Sequence, residues 1–332
     1  MKRNVPLIGV TMGDPAGIGP EIILKSFKNT IRQQNYNILV IGNMDVMKKV
    51  KDIIGIEDII LNEVHDTDEC DFSDNILNVL NIDNIKIDEL LPGEIQKMAG
   101  NAAYEYVERA VKLTLDDEID AISTAPLNKE AMHLAGHNYP GHTEILARLS
   151  NGKDYAMFLY DESLKVIHVS THVSLLEAIQ GLSKDRIESV IKLADSTMKR
   201  LGYEDPKIAV AGINPHAGEG GLFGDEEIST INPAIEECKS LGINVQGSIS
   251  PDTVFVRAKD KEFDIVVVMY HDQGHIPLKL LGFHSGVNVT VGLPIIRTSV
   301  DHGTAFNVAW KGLADESSMT QSIQLAARLI GK

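Results

Sequence analysis

Residues 264–312 read DIVVVMYHDQGHIPLKLLGFHSGVNVTVGLPIIRTSVDHGTAFNVAWKG and hold most of the side chains that could do chemistry. A β-branched run, 265–268, empties into His271, Asp272, Gln273, Gly274 and His275. A second extended run, 287–291, is followed by Gly292, then by Arg297, Thr298, Ser299, Asp301, His302 and Gly303. Imidazoles bind metals or carry protons near neutral pH, and a guanidinium matches phosphate or carboxylate in a bidentate fork. Open α/β sheets build their sites this way, at the carboxyl ends of buried strands.

Three stretches share one plan. Residues 166–172, 208–216 and 265–271 each read as a strand ending in histidine: His172, His216 and His271. On parallel strands these ends share an edge, so the three imidazoles could converge. Three neutral imidazoles with one open position suit a catalytic divalent metal, zinc above all. Separations of 44 and 55 residues match no local metal motif. Any one of these histidines alone reads as a hydrogen-bonded strand end, and only the three together raise the metal reading. His168 lies inside its strand as a core or supporting residue, and His275 sits beside the cluster. His65, His133, His137 and His284 have no companions and read as surface or loop residues. Arg297 and Lys279 flank Asn288. Lys279, between two leucines, is either an acid–base group or a stem snorkelling from an apolar helix.

The elements that must position these groups alternate. Strands are predicted at 7–11, 37–41, 121–123, 166–172, 208–216, 265–268 and 287–291, and helices at 22–27, 99–115, from 144, and at 184–202. Ser183 is a suitable N-cap, and Ile187, Val190, Ile191, Ala194 and Met198 fall on one helical face. The glycines of 13–19 form either a tight strand-to-helix turn or a loop whose N–H groups face an anion. Residues 51–95 show no clear period and predict short strands and loops. This alternation is the signature of an α/β class with mostly parallel strands.

At 332 residues the chain has room for about two domains. Its net charge of −16 argues against nucleic acid and anionic membrane as partners, and leaves only local cations to hold an anionic ligand. No apolar run reaches the ~18 residues of a membrane span. The first residues do not read as a signal peptide, and two cysteines, Cys70 and Cys238, fit a reducing cytoplasm.

Five motifs in order carry a family likeness: Gly13 to Glu21 (GDPAGIGPE), Pro140 to Glu144 (PGHTE), Asn214 to Glu219 (NPHAGE), His271 to Gly274 (HDQG) and Gly292 to Gly303. With them the chain resembles the 4-hydroxythreonine-4-phosphate dehydrogenase family. Residues 302–312 are also similar to the cofactor loop of isopropylmalate and isocitrate dehydrogenases, which share that fold. The likeness implies two three-layer α/β/α domains with a cleft between them. The implied division is 1–133 plus 288–332 for the cofactor, and 134–287 for metal, substrate and dimerisation. It implies a homodimer with shared sites, NAD as oxidant, and one divalent metal, zinc before magnesium, manganese or cobalt, on His172, His216 and His271. Substrate contacts carry over to His142, Thr143, Lys279, Asn288 and Arg297, and cofactor contacts to Gly292, Thr298, Asp301, His302, Gly303 and Asn307. Asn307 stands where the isopropylmalate-type loop has an acidic residue that reads the ribose, so the preference for NAD over NADP follows from the family alone.

The activity so implied is oxidation of a 3-hydroxyl in a four-carbon, 4-phosphorylated acid, followed by loss of CO₂, with Lys279 as acid–base group and Asp272 behind it. The HDQGHIPLKLLG segment (271–282), Asn128-Lys129-Glu130-Ala131 and Trp310 resemble the paralogous branch acting on 4-phospho-D-threonate or 4-phospho-D-erythronate, whose product would be dihydroxyacetone phosphate. The alternative is the vitamin B6 branch. A non-catalytic metal-dependent phosphosugar-binding protein would need no cofactor loop, and malate-type decarboxylating dehydrogenases hold their metal with aspartates.

Overall fold

The computed structural model describes residues 5–30, 35–282 and 286–331. Of the residues singled out above, His284 lies outside them. The chain divides into two compact units, Met1–Gly152 with Leu293–Ile330, and Lys153–Gly292.

The first unit opens with β1 (Leu7–Thr11), α1 (Gly19–Thr30), β2 (Asn37–Gly42), α2 (Met44–Ile53), β3 (Ile60–Val64) and β4 (Ile76–Asn81). It continues with α3 (Lys97–Leu115), β5 (Ala121–Thr124), α4 (Lys129–Leu134) and α5 (His142–Leu149). The second unit holds β6 (Ala156–Tyr160), β7 (Lys165–His168), α6 (Leu175–Gln180), α7 (Lys184–Arg200) and β8 (Ile208–Ala211). Then come α8 (Asn232–Ser240), β9 (Val245–Ile249), α9 (Val254–Lys259), β10 (Ile265–Val268), α10 (His271–Gly282) and β11 (Val287–Val291). The chain then returns to the first unit for β12 (Arg297–Val300) and α11 (Ser317–Ile330).

In the first unit the strand order is β3-β4-β2-β1-β5-β12, parallel throughout. β1 is buried at every residue, as a strand covered on both faces must be. Chain order reverses beside β1, which pairs with β2 on one side and β5 on the other, so the loops leaving β1 and β5 flank a topological switch point. In the second unit the order is β11-β6-β7-β10-β8-β9. Here β11–β6 and β6–β7 are antiparallel and the rest parallel, so the sheet is mixed.

The helical periodicities hold. α7 is capped by Ser183, whose Oγ accepts the Arg186 N–H, and it buries Ile187, Val190, Ile191, Ala194 and Met198. α3 buries Ala103, Val107, Ala110 and Val111, whereas Leu115, at its last position, is exposed. α2 is an addition to the predicted elements, and within 51–95 the short strands are β3 and β4. The units divide after Gly152, not at residue 133, because α5 buries Ile145 and Leu146 in the first unit's core. β11 belongs to the second unit because it pairs with β6.

Candidate functional site

The three histidine strands are shorter than their sequence suggested. β7 ends at His168, β8 at Ala211 and β10 at Val268. His172 therefore lies in the loop before α6, His216 in a turn after β8, and His271 is the first residue of α10. Polar loop chemistry ends each strand early. Gln273, buried on α10, accepts the Met269 N–H at 2.7 Å and donates to the Gly212 carbonyl at 2.7 Å, tying the ends of β10 and β8 together. Gln273 belongs to the polar cluster visible in the sequence, but its bonds to two strand ends are not readable there.

Four imidazoles gather in the second unit. The rings of His271 and His275 stack with centroids 3.6 Å apart, and His172 lies 5.9 Å from His271. His168 is 4.9 Å from His275 and its Nε2 is buried without a partner. Burial, with His275 next, pushes the His168 imidazole down to about 3. Burial, with His271 next, takes that of His275 down to about 4. Asp272 Oδ1 lies 2.6 Å from His271 Nδ1, and this bond holds the carboxyl below its usual range. Asp272 thus fixes the His271 ring through its Nδ1. Its demonstrated partner is His271, where the sequence reading had set it behind Lys279. Lys279 is exposed on α10, between buried Leu278 and exposed Leu280.

His216 stands apart. Residues 216–220 form a left-handed turn, with φ of 53°, 53°, 78°, 43° and 68°, and three of the five are not glycine. Each such residue costs ~1–2 kcal/mol, so something must hold the turn. That group is Glu227, 1% exposed. Its Oε1 accepts the N–H groups of Ile213 and Asn214, each at 2.8 Å, and its Oε2 accepts Asn214 Nδ2 at 2.9 Å. Among the described residues no three His, Cys, Asp or Glu side chains form a group that could hold a metal ion. His172 and His271 are neighbours, but His172, His216 and His271 do not assemble as a ligand set within one chain.

The first unit carries a different cluster. Arg297, 3% exposed at the start of β12, donates from Nε and Nη2 to Thr124 Oγ1 at 3.2 and 2.8 Å. Burial pushes its guanidinium down to about 9, Glu144 pulls it back up, and it stays charged at neutral pH. Gly141 is the N-cap of α5, which places His142 and Thr143 at the helix start. Burial, then Arg297 and Lys129, push the His142 imidazole well below the usual histidine range, so it remains neutral. His142 as a residue is half-buried, yet its Nε2 is shielded from solvent and has no partner. In the second unit, Asn288 Oδ1 on β11 is likewise buried and unpartnered. Buried polar atoms are normally paired, and these two atoms, like Thr11 Oγ1, Asp14 Oδ2 and His168 Nε2, are exceptions among the described residues.

The cofactor candidates separate by exposure. His302, Gly303 and Asn307 are exposed and Asp301 half-buried, past the carboxyl end of β12. Thr298 is fully buried, and its hydroxyl donates to the Ser322 carbonyl at 2.8 Å, so it supports the strand from behind. Gly292 has φ +90°, and a Cβ there would stand 2.2 Å from the Asp154 carbonyl oxygen, which explains the glycine by packing alone. The glycine loop after β1 anchors the 304–314 segment. Ile18 N–H donates to the Thr304 carbonyl, and Trp310 Nε1 donates to the Pro15 carbonyl. Buried Glu21 accepts the N–H groups of Gly312 and Ala314 and pairs with Lys25, which donates to both of their carbonyls. An exposed loop held this firmly at the edge of the switch point fits a dinucleotide.

The model of the family described as pyridoxal phosphate biosynthetic protein PdxA matches residues 34–326. A protein of Pectobacterium atrosepticum named D-threonate 4-phosphate dehydrogenase is 51% identical over 97% of this chain and 99% of its own. A 4-hydroxythreonine-4-phosphate dehydrogenase structure from Klebsiella pneumoniae superposes with a TM-score of 0.89 at 50% identity, over 98% of this chain and 99% of that one. A β-decarboxylating dehydrogenase from Thermococcus kodakarensis, 13% identical with a TM-score of 0.50 over 96% of this chain and 82% of its own, shares the fold alone. The five motifs, the α/β architecture and full-length identity of this order agree, and the chain belongs to the PdxA family.

Proposed function

We propose that the chain is an NAD-dependent dehydrogenase that oxidises the 3-hydroxyl of D-threonate 4-phosphate or D-erythronate 4-phosphate. The observation that carries this reading is the pair of buried, unpartnered atoms, His142 Nε2 and Asn288 Oδ1, on residues expected to touch substrate. The relatives named D-threonate 4-phosphate dehydrogenase supply the substrate class. Bound NAD would supply the hydride acceptor, with Asp301, His302, Gly303 and Asn307 as the residues that hold it. Lys279 is the candidate for the hydroxyl proton. The 3-keto acid left behind is a β-keto acid, which loses CO₂ readily and would give dihydroxyacetone phosphate.

A divalent ion on His172, His216 and His271 belongs to the same reading, where it would polarise the hydroxyl, but the set is incomplete within one chain. A homodimer in which a second copy completes the site is supported by exposed apolar residues of the second unit: Leu175 and Leu176 on α6, and Ile276, Leu280 and Leu281 on α10, with Leu280 82% exposed. A cytoplasmic setting is supported by Cys70 and Cys238, which form no disulfide with each other. No helix among the described residues is long and apolar enough to cross a membrane.

The family description and the name of the Klebsiella structure favour a second reading, 4-hydroxythreonine 4-phosphate as substrate. An assay of NADH production over a panel of 4-phosphorylated acids, with and without chelator, separates the two. A higher kcat/KM for the phospho-tetronates supports the first reading, and the reverse ranking supports the second. No turnover of either overturns both, and turnover that survives complete chelation removes the metal.

A further inference from the structure

We propose that Lys129 joins His142 and Arg297 in one anion subsite, and that this subsite takes the phosphate monoester end of the substrate. The inference rests on the reading of the chain as a phospho-acid dehydrogenase. The segment leaving β5, Thr124 to Lys129, serves the cluster twice: Thr124 holds the Arg297 guanidinium, and Lys129 brings a second cation. The Lys129 stem runs along the loop that delivers His142, with its Cε 3.8 Å from where a Cβ on Gly141 would stand. Its charge is close enough to act on the His142 ring.

The backbone beneath Lys129 is fixed. Asn128 caps α4 by accepting the Ala131 N–H at 2.8 Å, and a Cβ on Gly100 of α3 would stand 2.1 Å from the Ala131 carbonyl carbon, so α4 lies directly on α3. In a chain of net charge −16, one lysine and one arginine charge act beside a neutral imidazole whose buried Nε2 has no partner, with Glu144 as the nearby counter-charge. A carboxylate is satisfied by one guanidinium fork. A phosphate monoester, with nearly two charges and three acceptor oxygens, calls for the second cation and the extra ring contact.

The test measures binding of inorganic phosphate and of unphosphorylated D-erythronate by calorimetry, alongside KM and kcat. Lys129 is exposed, so Lys129→Met is expected to fold, which circular dichroism checks. Lys129→Met should weaken phosphate by about 10- to 100-fold and raise KM for the phospho-tetronate, with kcat and D-erythronate binding little changed. Lys129→Arg should recover most of the loss. Unchanged phosphate affinity in Lys129→Met, with a loss in Arg297→Lys, overturns the role of Lys129 and leaves the dehydrogenase reading standing. A loss of D-erythronate affinity instead would assign the cation to the carboxylate end and overturn the phosphate claim. Unchanged phosphate affinity in both variants would remove the substrate reading of the whole cluster.

Discussion

Glu227→Gln should loosen the turn that carries His216 without unfolding the protein. The carboxylate accepts three hydrogen bonds, two on Oε1 and one on Oε2. A glutamine that keeps its oxygen toward Ile213 and Asn214 retains two of them, weakened by about 1 kcal/mol each because the acceptor is no longer charged. The third is lost outright, since the new amide N–H₂ meets Asn214 Nδ2, at a cost of about 1.5–3 kcal/mol. The sum, roughly 3–5 kcal/mol, is of the same order as the ~3–6 kcal/mol stored by the three non-glycine left-handed residues His216, Ala217 and Glu219. Opening the turn releases that strain, so the loss stays local. Native-state hydrogen exchange should show the Ile213 and Asn214 amides exchanging on the order of 10²-fold faster or more, with strands β8 and β10 protected as before. Ala217→Gly in the variant background should slow that exchange again, because glycine occupies left-handed φ without penalty. Unchanged exchange at Ile213 and Asn214 would refute the idea that Glu227 holds the turn.

Asp14→Asn tests a buried acid at the switch point. Asp14 is fully buried, its Oδ2 has no partner, and burial pushes its carboxyl up to about 7 against the Ala16 N–H that pulls it down. The unfolded chain loses this proton near 3.8 and the folded one keeps it to about 7, so wild-type stability falls as pH rises between those values. The stability of Asp14→Asn relative to wild type should therefore grow from pH 4 to pH 7, by up to ~4 kcal/mol in denaturant titrations; a pH-independent difference would contradict it. Gly274→Ala would place a Cβ 2.7 Å from His168 Nε2 and 3.0 Å from Val268 Cγ2. Overpacking of this kind should cost about 1–3 kcal/mol in urea unfolding, and a neutral result would show that α10 moves freely over β7.

What was legible in the sequence follows from the range of the forces involved. The faces of α3 and α7 and the buried strands β1, β10 and β11 are local patterns of apolar residues, and they were readable. The strand ends were not. β8 and β10 stop before their histidines where Gln273 claims the backbone of Met269 and Gly212, residues 4 and 61 positions away. The expected metal ligands His172, His216 and His271 do not come together within one chain, because the left-handed turn sets His216 apart from the other two. Arg297 stands out in the sequence, but its partner Thr124 lies 173 positions away, and nothing in the local sequence links them. The roles of Glu21 and Glu227 were not readable, because a buried carboxylate serving distant backbone N–H groups has no sequence pattern of its own.

The same distinction bears on the substrate branch. Its sequence markers were His275, Asn128 with Lys129, and Trp310, and the fold engages most of them elsewhere. His275 is stacked on His271 and bonded to its carbonyl at 3.0 Å. Asn128 caps α4, and Trp310 is buried, with its indole N–H on the Pro15 carbonyl. Residues that serve packing change together with their neighbours, so they track descent more closely than they track the group at C2. Lys129 differs from the others: its charge acts on His142, in the cluster assigned to substrate. Both candidate substrates carry the same phosphate, however, so a cation that reads phosphate is shared by the two branches. Discrimination must then fall to groups that meet the C2 hydroxyl or ammonium, where a site built around one hydrogen bond can reject the wrong partner by as much as ~10⁴-fold. The branch is therefore a question for substrate kinetics, and the residues that made the likeness visible need not be the ones that choose.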